Sequence, residues 1–235
     1  MKKQLFLTPM EGKQLIANAL CENPEVLAAA LEHTLVITAG TTNGFVAEAL
    51  YRKLGLGEFD KSHFFRGVFT GRKLVPNNPA VDVIIRKGEV IEGKTIEDIA
   101  PELTAGDMIM KGGNALYLPG KQVGVAVGNP MLGTMSHVLP AVYGRRVSLL
   151  MPIGLEKRVE WPIDELEAFC NAPDMDGLRL AMAPGRPYTE IDAFESVGVS
   201  AVILASGGVE GKEGAILFGL EGDEKALKKA QDLAG

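Results

Sequence analysis

The stretch that decides the fold is LVITAGTTNGFVAEAL, residues 35–50. Its apolar beginning, residues 35–39, predicts a buried strand, and residues 43–54 predict a helix. The loop between them consists of Gly40, Thr41, Thr42, Asn43 and Gly44. A helix start carries a partial positive charge, so the pattern predicts a site for a phosphate or a carboxylate. An ordinary strand-to-helix turn with Thr or Asn as N-cap is the alternative.

Two further segments share this character, because each follows an apolar run and contains glycine and polar residues. The first follows a strand expected at residues 107–111 and the second a strand expected at residues 123–127. Ligands of open parallel sheets bind outside the carboxyl ends of the strands, so we expect all three segments at one edge. The predicted ligand-binding residues are Gly40, Thr41, Thr42, Asn43, Gly44, Lys111, Gly112, Gly113, Asn114, Gly128 and Asn129.

Lys111 is the most informative single charge, since it ends an apolar strand and precedes two glycines. As a functional residue it would pair with a ligand anion or with a developing enolate. As a structural residue it would be a surface lysine at the end of a strand. The sequence leaves both readings open.

The sequence lacks the motifs of several common nucleotide-binding and metal-binding sites. The loop at residues 40–44 has neither the Gly-Lys-Ser/Thr of a nucleotide-binding P-loop nor the glycine spacing of a dinucleotide fingerprint. Cys21 and Cys170 are far apart, and no Cys or His cluster has the spacing of a zinc site. We therefore expect no cofactor and no metal, and two reduced thiols in a reducing compartment.

Composition limits the possible partners. The chain has 235 residues, 46% of them hydrophobic, which suffices for a full core. Its net charge is −6 and no basic patch stands out, so we do not expect nucleic acid as a partner. No apolar run approaches a membrane span, and the first residues are too short for a signal peptide. We expect a cytoplasmic protein that does not bind membranes, and a homo-oligomer, since two-fold dimers are the commonest assemblies.

Apolar strands alternate with helices along most of the chain, which predicts an α/β fold with a mostly parallel open sheet and helices on both faces. This alternation of strands and helices changes after residue 158. The order strand, helix, strand, strand, helix from about residue 178 is most of a ferredoxin-like unit. We therefore predict an α/β domain at residues 1–158 and a smaller α+β unit at residues 159–235.

The glycine loops at residues 40–44 and 111–114 together resemble the superfamily of ribose-phosphate isomerase, glucosamine-phosphate deaminase and CoA transferases. In the isomerase the first strand runs into a Gly-Thr-Gly-Ser-Thr loop, and a later strand runs into Lys-Gly-Gly-Gly. The resemblance covers residues 34–151 and implies an α/β fold with a pocket for a phosphorylated or carboxylated metabolite. A small ferredoxin-like domain also occurs in that isomerase.

The resemblance is weaker for the catalytic acids. The isomerase has an Asp-Gly-Ala-Asp pattern after the intervening strand, and the nearest stretch here runs from Asp82 to Glu89 with Arg86 and Lys87 where the acids should begin. A proton shuttle between sugar carbons needs a general base, for which Glu89 is a candidate. The glutamate nucleophile of the CoA transferases has no clear match.

Three functional hypotheses remain open at this stage. The chain is a metabolite-binding member of that superfamily, with isomerase or transferase chemistry and Lys111 as the electrostatic anchor. Alternatively, it is a non-catalytic sensor that kept the pocket and lost the acids, which the basic residues at positions 86 and 87 favour. In the third hypothesis the fold is unrelated and the glycine loops are only turns.

Overall fold

The computed structural model of the chain describes residues 1–66, 69–70, 73–74 and 81–235. The strands are β1 (Lys2–Leu7), β2 (Thr34–Ile37), β3 (Phe69–Thr70), β4 (Lys73–Leu74), β5 (Val83–Arg86), β6 (Glu89–Val90), β7 (Met108–Met110), β8 (Ala115–Tyr117), β9 (Gln122–Val127), β10 (Ser148–Pro152), β11 (Arg179–Ala183), β12 (Arg186–Tyr188), β13 (Ser200–Ser206) and β14 (Ile216–Glu221). The helices are α1 (Pro9–Leu20), α2 (Pro24–Leu31), α3 (Thr41–Leu54), α4 (Ile96–Ile99), α5 (Met135–Leu139), α6 (Ile163–Cys170), α7 (Glu190–Ser196) and α8 (Glu224–Ala234). The loop predicted at residues 55–80 falls partly outside these ranges.

A capping box starts α1, as the sequence predicts. The Thr8 side chain accepts a hydrogen bond from the Glu11 amide at 3.3 Å, and the Glu11 carboxylate accepts one from the Thr8 amide at 2.7 Å. Pro9 takes the first helical position, where its missing N–H costs nothing. The helix therefore begins at a defined residue and buries Leu15 and Ile16 in the core.

A central six-stranded sheet has the order β12-β10-β7-β2-β5-β6. The first four strands of this order are mutually parallel, and β5 and β6 form an antiparallel hairpin at the edge. Every residue of β2 is buried, which requires that both faces of the sheet are covered there. The α/β class and the mostly parallel sheet are confirmed, whereas the prediction that helices cover both faces is not.

Two three-stranded antiparallel sheets have the orders β11-β9-β8 and β1-β14-β13, and β3 and β4 form a two-stranded antiparallel sheet. The strand at Gln122–Val127 was expected to join the parallel sheet, and this expectation is wrong. Its residues pair with β8 on one side and with β11 on the other. A short apolar strand gives no local sign of the sheet to which it belongs, because that depends on partners far along the chain.

The ferredoxin-like unit predicted for the C-terminal region is not confirmed. The strands of that region go to three different sheets: β11 pairs with β9, β12 adds to the central sheet beside β10, and β13 and β14 form a sheet with β1. In each of these three sheets, a strand from before residue 158 therefore pairs with a strand from after it. The division into residues 1–158 and 159–235 stays a prediction.

The core is shared between the central sheet and the C-terminal elements. Phe194 of α7 and Phe218 of β14 meet edge to face with ring centroids 5.3 Å apart, and both lie in the same apolar cluster as β2 and β7. Such a pair adds to the stability gained from burial alone. In the part of the chain that the structure describes, no helix has the length and apolar content needed to span a membrane.

Candidate functional site

Four parallel strands of the central sheet, β2, β7, β10 and β12, end at one edge, which we call the carboxyl rim. The chain segments that leave these strands are residues 38–43, 111–114, 153–157 and 189–190. Asp82 lies at the same rim, because Val83 at the start of the antiparallel β5 pairs with Ile37 at the end of β2. The fold thus brings the predicted segments around Thr42 and Lys111 to neighbouring positions.

The third predicted segment lies elsewhere. Gly128 and Asn129 follow β9, which belongs to a separate antiparallel sheet. The Gly128 carbonyl accepts a hydrogen bond from Arg179, and the Asn129 side chain accepts one from the amide of Met131 at 2.7 Å. The placement of these two residues at the edge of the parallel sheet is wrong, and their assignment to a shared site loses its geometric basis.

One carbonyl joins the two remaining segments. The Met110 carbonyl at the end of β7 accepts hydrogen bonds from the Thr38 amide (2.9 Å), the Thr38 hydroxyl (3.1 Å) and the Asn43 side-chain amide (3.1 Å). The Asn43 amide also donates to the Thr38 carbonyl at 2.8 Å. Asn43 therefore ties the start of α3 to the end of β7, and its donor atom is already used within the protein.

The N-terminus of α3 has no side-chain cap. The helix begins at Thr41, two residues earlier than predicted, and its N-cap is Gly40, so neither Thr nor Asn caps it. The first turn contains no acidic residue. The Thr42 hydroxyl is buried and has no hydrogen-bond partner among the described residues, and the same holds for the Asn43 side-chain oxygen. This helix start combines uncompensated positive character with a buried hydroxyl that lacks a partner.

The predicted glycines differ in the space around them. A Cβ at Gly113 would lie 2.2 Å from the Val123 side chain, so packing requires glycine there. A Cβ at Gly44 would come within 3.1 Å of the Lys61 side chain, which is a tight contact. By contrast, the nearest atoms to a Cβ at Gly40 and at Gly112 are 3.9 and 4.0 Å away, so packing does not explain the small size of these two residues.

Asn114 has a structural role in the β8–β9 hairpin. Its amide donates to the Gly124 carbonyl at 2.8 Å, and its side-chain oxygen accepts from the Ala126 amide at 3.0 Å. The residue is exposed on the neighbouring sheet. The segment predicted as one loop therefore divides, with Lys111 and Gly112 at the rim and Gly113 and Asn114 forming the passage to the next sheet.

Lys111 has no ion-pair partner among the residues that the structure describes. Its backbone amide donates to the Leu150 carbonyl, which fixes it between β7 and β10. Its ammonium has no hydrogen-bond or ion-pair partner among residues 1–66 and 81–235. Although the residue as a whole keeps some exposure, burial of the ammonium lowers its pKa to about 8. The charge of Asp82 opposes this shift, and the charges of Arg66 and Lys157 add to it.

Asp82 is an acidic residue of the rim, and both oxygens of its carboxylate have partners within the protein. Its carboxylate accepts hydrogen bonds from the amides of Ala39 (2.9 Å) and Ile96 (2.7 Å). The guanidinium of Arg66 lies 3.1 Å from the same carboxylate. The side chain is completely buried. Asp82 therefore holds the β2–α3 loop and the start of α4 in place.

Glu89, the predicted candidate for a general base, lies at the opposite end of the sheet. Its partner in the hairpin is Arg86, which in turn pairs with Thr34 at the beginning of β2. Both Glu89 and Lys87 are exposed there. The basic residues at positions 86 and 87 are equally far from the rim, so they say nothing about the loss of a catalytic acid.

A second group of charges at the rim was missed by the sequence analysis. Glu190 follows β12 and is buried, and its carboxylate accepts a hydrogen bond from the Leu155 amide at 2.9 Å. Gly12 leaves it space, because a Cβ there would lie 2.5 Å from the carboxylate oxygen. Burial, helped by the nearby charge of Glu156, raises the pKa of Glu190 to about 7. One oxygen of Glu156 has no hydrogen-bond partner among the described residues.

Lysines connect this group to the rest of the rim. The Lys157 ammonium donates to the Gly113 carbonyl at 2.8 Å, and burial lowers its pKa. Lys13 of α1 lies 3.9 Å from Glu156.

The signal for Glu190 was present in the sequence: Thr189 and Asp192 form a capping box that starts α7. The sequence predicts one helix over residues 188–196, whereas in the structure this capping box separates the strand that ends at Tyr188 from α7, which starts at Glu190.

Two hollows of the described structure lie away from Thr42 and Lys111. A crevice too narrow to admit a water molecule borders Glu156 and Glu190. A depression of about 300 Å³ is lined by Val159, Trp161 and Phe169 among others. The candidate anion site therefore rests on charges and on polar groups that lack partners among the described residues.

Comparison with protein-family models, with curated proteins and with solved structures finds no match. Within residues 1–66 and 81–235, no three His, Cys, Asp or Glu side chains lie close enough together to hold a metal ion. Among the same residues, Cys21 and Cys170 are free thiols. The geometry of the rim is thus the basis for any functional assignment, and ligand binding by the predicted residues stays a prediction.

Burial of the Lys111 ammonium, for which the described residues provide no ion-pair partner, is unfavourable for stability. The pKa of about 8 in the folded chain lies below the usual 10.5, so the penalty is complete below pH 8 and fades as the pH rises to 10.5. We expect Lys111→Met to raise the free energy of unfolding at pH 7 by about 1–3 kcal/mol. Urea denaturation at pH 7 and pH 10 measures this. An equal loss of stability at both pH values would show that the ammonium has a partner.

The two glycines after Lys111 are expected to behave differently. Gly113→Ala places a methyl group against Val123 and the Gly124 carbonyl, and we expect a loss of about 1–3 kcal/mol in the free energy of unfolding. Gly112→Ala has free space and serves as the matched control, with a change near zero. Denaturant titration of both variants tests this. Equal destabilisation would contradict the close approach at Gly113.

The raised pKa of Glu190 gives stability a specific pH dependence. The folded chain binds this proton more tightly than the unfolded chain, so the contribution is intact below pH 4.5 and is lost as the pH rises to about 7. We expect Glu190→Gln to be more stable than wild type by about 1–3 kcal/mol at pH 8, with little difference at pH 4.5. Unfolding curves across this range measure the difference. Glu195→Gln, an exposed change on the same helix, should follow wild type throughout.

Proposed function

We propose that this protein binds a small anionic metabolite, phosphorylated or carboxylated, between the start of α3 and Lys111. The observation that carries the proposal is the desolvated ammonium of Lys111, for which the described residues supply no counter-ion. A bound anion would supply the missing charge and bring the lysine pKa back toward its usual value.

The start of α3 supports the same proposal. An anion next to the open helix terminus would accept hydrogen bonds from backbone amides that have no partner within the helix. The Thr42 hydroxyl offers a further donor, since it is buried and unpartnered among the described residues. Asn43 keeps the two halves of the site together through the Met110 carbonyl. Gly112 is the position at which a ligand would come closest to the backbone.

The proposal includes membership of the superfamily of ribose-phosphate isomerase, glucosamine-phosphate deaminase and CoA transferases. Under this assignment residues 111–114 take the place of the Lys-Gly-Gly-Gly segment, and residues 40–44 that of the Gly-Thr-Gly-Ser-Thr loop. The ligand would then be a sugar phosphate or a related carboxylate, and the reaction an isomerisation or a group transfer.

A second candidate function is binding without catalysis, as in a metabolite sensor. The full engagement of Asp82 favours it, because a carboxylate that already holds two backbone amides and an arginine is a poor general base. The two candidates share the anion site and differ in whether a proton is transferred.

The test is a thermal-shift series with inorganic phosphate, ribose 5-phosphate and a CoA thioester, followed for each variant as the ligand-induced change in melting temperature. We expect a rise with at least one probe in wild type. It should be lost in Lys111→Met and reduced in Thr42→Val. Lys87→Met removes an exposed lysine at the opposite end of the same sheet and should leave the rise unchanged.

The same series separates the alternatives. A shift that persists in Lys111→Met, or no shift with any probe, would exclude the proposed anion site. For a probe that binds, conversion between aldose and ketose phosphate followed by NMR distinguishes the isomerase from the sensor. Binding with no conversion over the full pH range favours the sensor.

A further inference from the structure

Strand β13 is an edge strand with an unusual composition. It pairs with β14 on one side and has no strand partner on the other among the described residues. Its seven residues read SAVILAS and contain no charge and no proline. Val202 and Leu204 are 56% and 49% exposed. A long, uncharged and apolar free edge is what soluble proteins ordinarily avoid, because it invites pairing with another chain.

Other edge strands of this protein are protected. Strand β1, at the opposite edge of the same sheet, carries Lys2 and Lys3. A charge also occurs in the edge strands β6, β11 and β12, and the edge strand β8 has only three residues. Among the edge strands that the structure describes, β13 is therefore the one that is both long and uncharged.

The sequence of β13 is nearly the same in both directions about Ile203. Antiparallel pairing of two copies centred on this residue would place Ser opposite Ser, Ala opposite Ala, Val opposite Leu and Ile opposite Ile. Such self-complementarity is what a two-fold symmetric interface requires. We infer that β13 pairs antiparallel with β13 of a second copy of this chain, joining two three-stranded sheets into one of six strands.

The exposed face of the sheet is consistent with this partner. Leu204 is the extra residue of a bulge opposite β14, and its side chain covers Gly219, whose Cβ would lie 3.1 Å from it. In the dimer Val202 would lie beside the partner's Leu204 on that face, so that each covers the other. The bulge is the one edge-protecting feature of β13 and bends the end of the strand, without adding a charge that would repel a second copy.

Sedimentation of the full chain over a wide concentration series tests the inference. We expect a reversible monomer–dimer equilibrium, and we expect Val202→Lys to weaken it by roughly tenfold or more, because it places a charge in each half of an apolar pair. The matched control is Gln4→Lys. Gln4 lies on the same rung of the ladder, since both it and Val202 pair with Gly219, but it is on the protected edge.

The outcomes are distinct. A dimer that weakens in Val202→Lys and persists in Gln4→Lys supports the inference, provided that circular dichroism shows both variants folded. A monomer at every concentration, or a dimer that both variants affect equally, overturns it.

The register of the pairing has its own test. Ile203→Cys should form a disulfide-linked dimer on oxidation, because equivalent residues at the axis lie within reach of a disulfide, whereas Gln4→Cys should not. A non-covalent dimer without this cross-link would overturn the pairing about Ile203.

Discussion

The Met110 carbonyl is the point on which the arrangement of the rim depends. Three donors converge on this one acceptor, two from Thr38 directly after β2 and one from Asn43 in the first turn of α3, and they hold the loop between β2 and α3. The Asn43 side-chain amide has two N–H donors, so it also donates to the Thr38 carbonyl. The carboxylate of Asp82 holds the same loop from its other side through the Ala39 amide. Because the loop is fixed from both sides, the helix start and Lys111 keep a defined relation.

The charges at the rim work against stability. Burial favours the neutral form of Lys111 and the neutral form of Glu190, although one is a base and the other an acid. Groups of opposite sign at one edge would stabilise the fold if they paired, yet Glu190 accepts from a backbone amide and Lys111 has no partner among the described residues. Destabilised charged groups that survive in a native structure are typical of functional sites, where a ligand completes the interactions.

The sequence predicted well those elements that have local signals. The capping box at Thr8 and the strand and helix around residues 35–54 follow from capping and turn chemistry. Lys87-Gly88 between the apolar runs at residues 81–86 and 90–92 likewise predicts a hairpin, which β5 and β6 form. Strand β1 was missed because its partner β14 lies more than two hundred residues away. Tyr188, the last residue of β12, was predicted as the start of a helix, and Glu190 was not included in the predicted site. Pairing between distant segments has no local pattern, so the sheets of β9 and β11 were also beyond prediction.

The positions of the rim carboxylates bear on whether the site transfers protons. A general base must come within hydrogen-bond distance of the proton that it removes. Glu190 follows β12, which is two strands away from β7 in the central sheet, and this corresponds to roughly 10 Å at the usual strand spacing. A ligand held by Lys111 would reach Glu190 only if it extended along the rim past the end of β10. Asp82 lies beside β5, two strands from β7 on the other side, and its charge acts on Lys111. Its carboxylate, however, is occupied by two amides and Arg66. The rim therefore supports anion binding more strongly than it supports proton transfer at a carbon next to the anion.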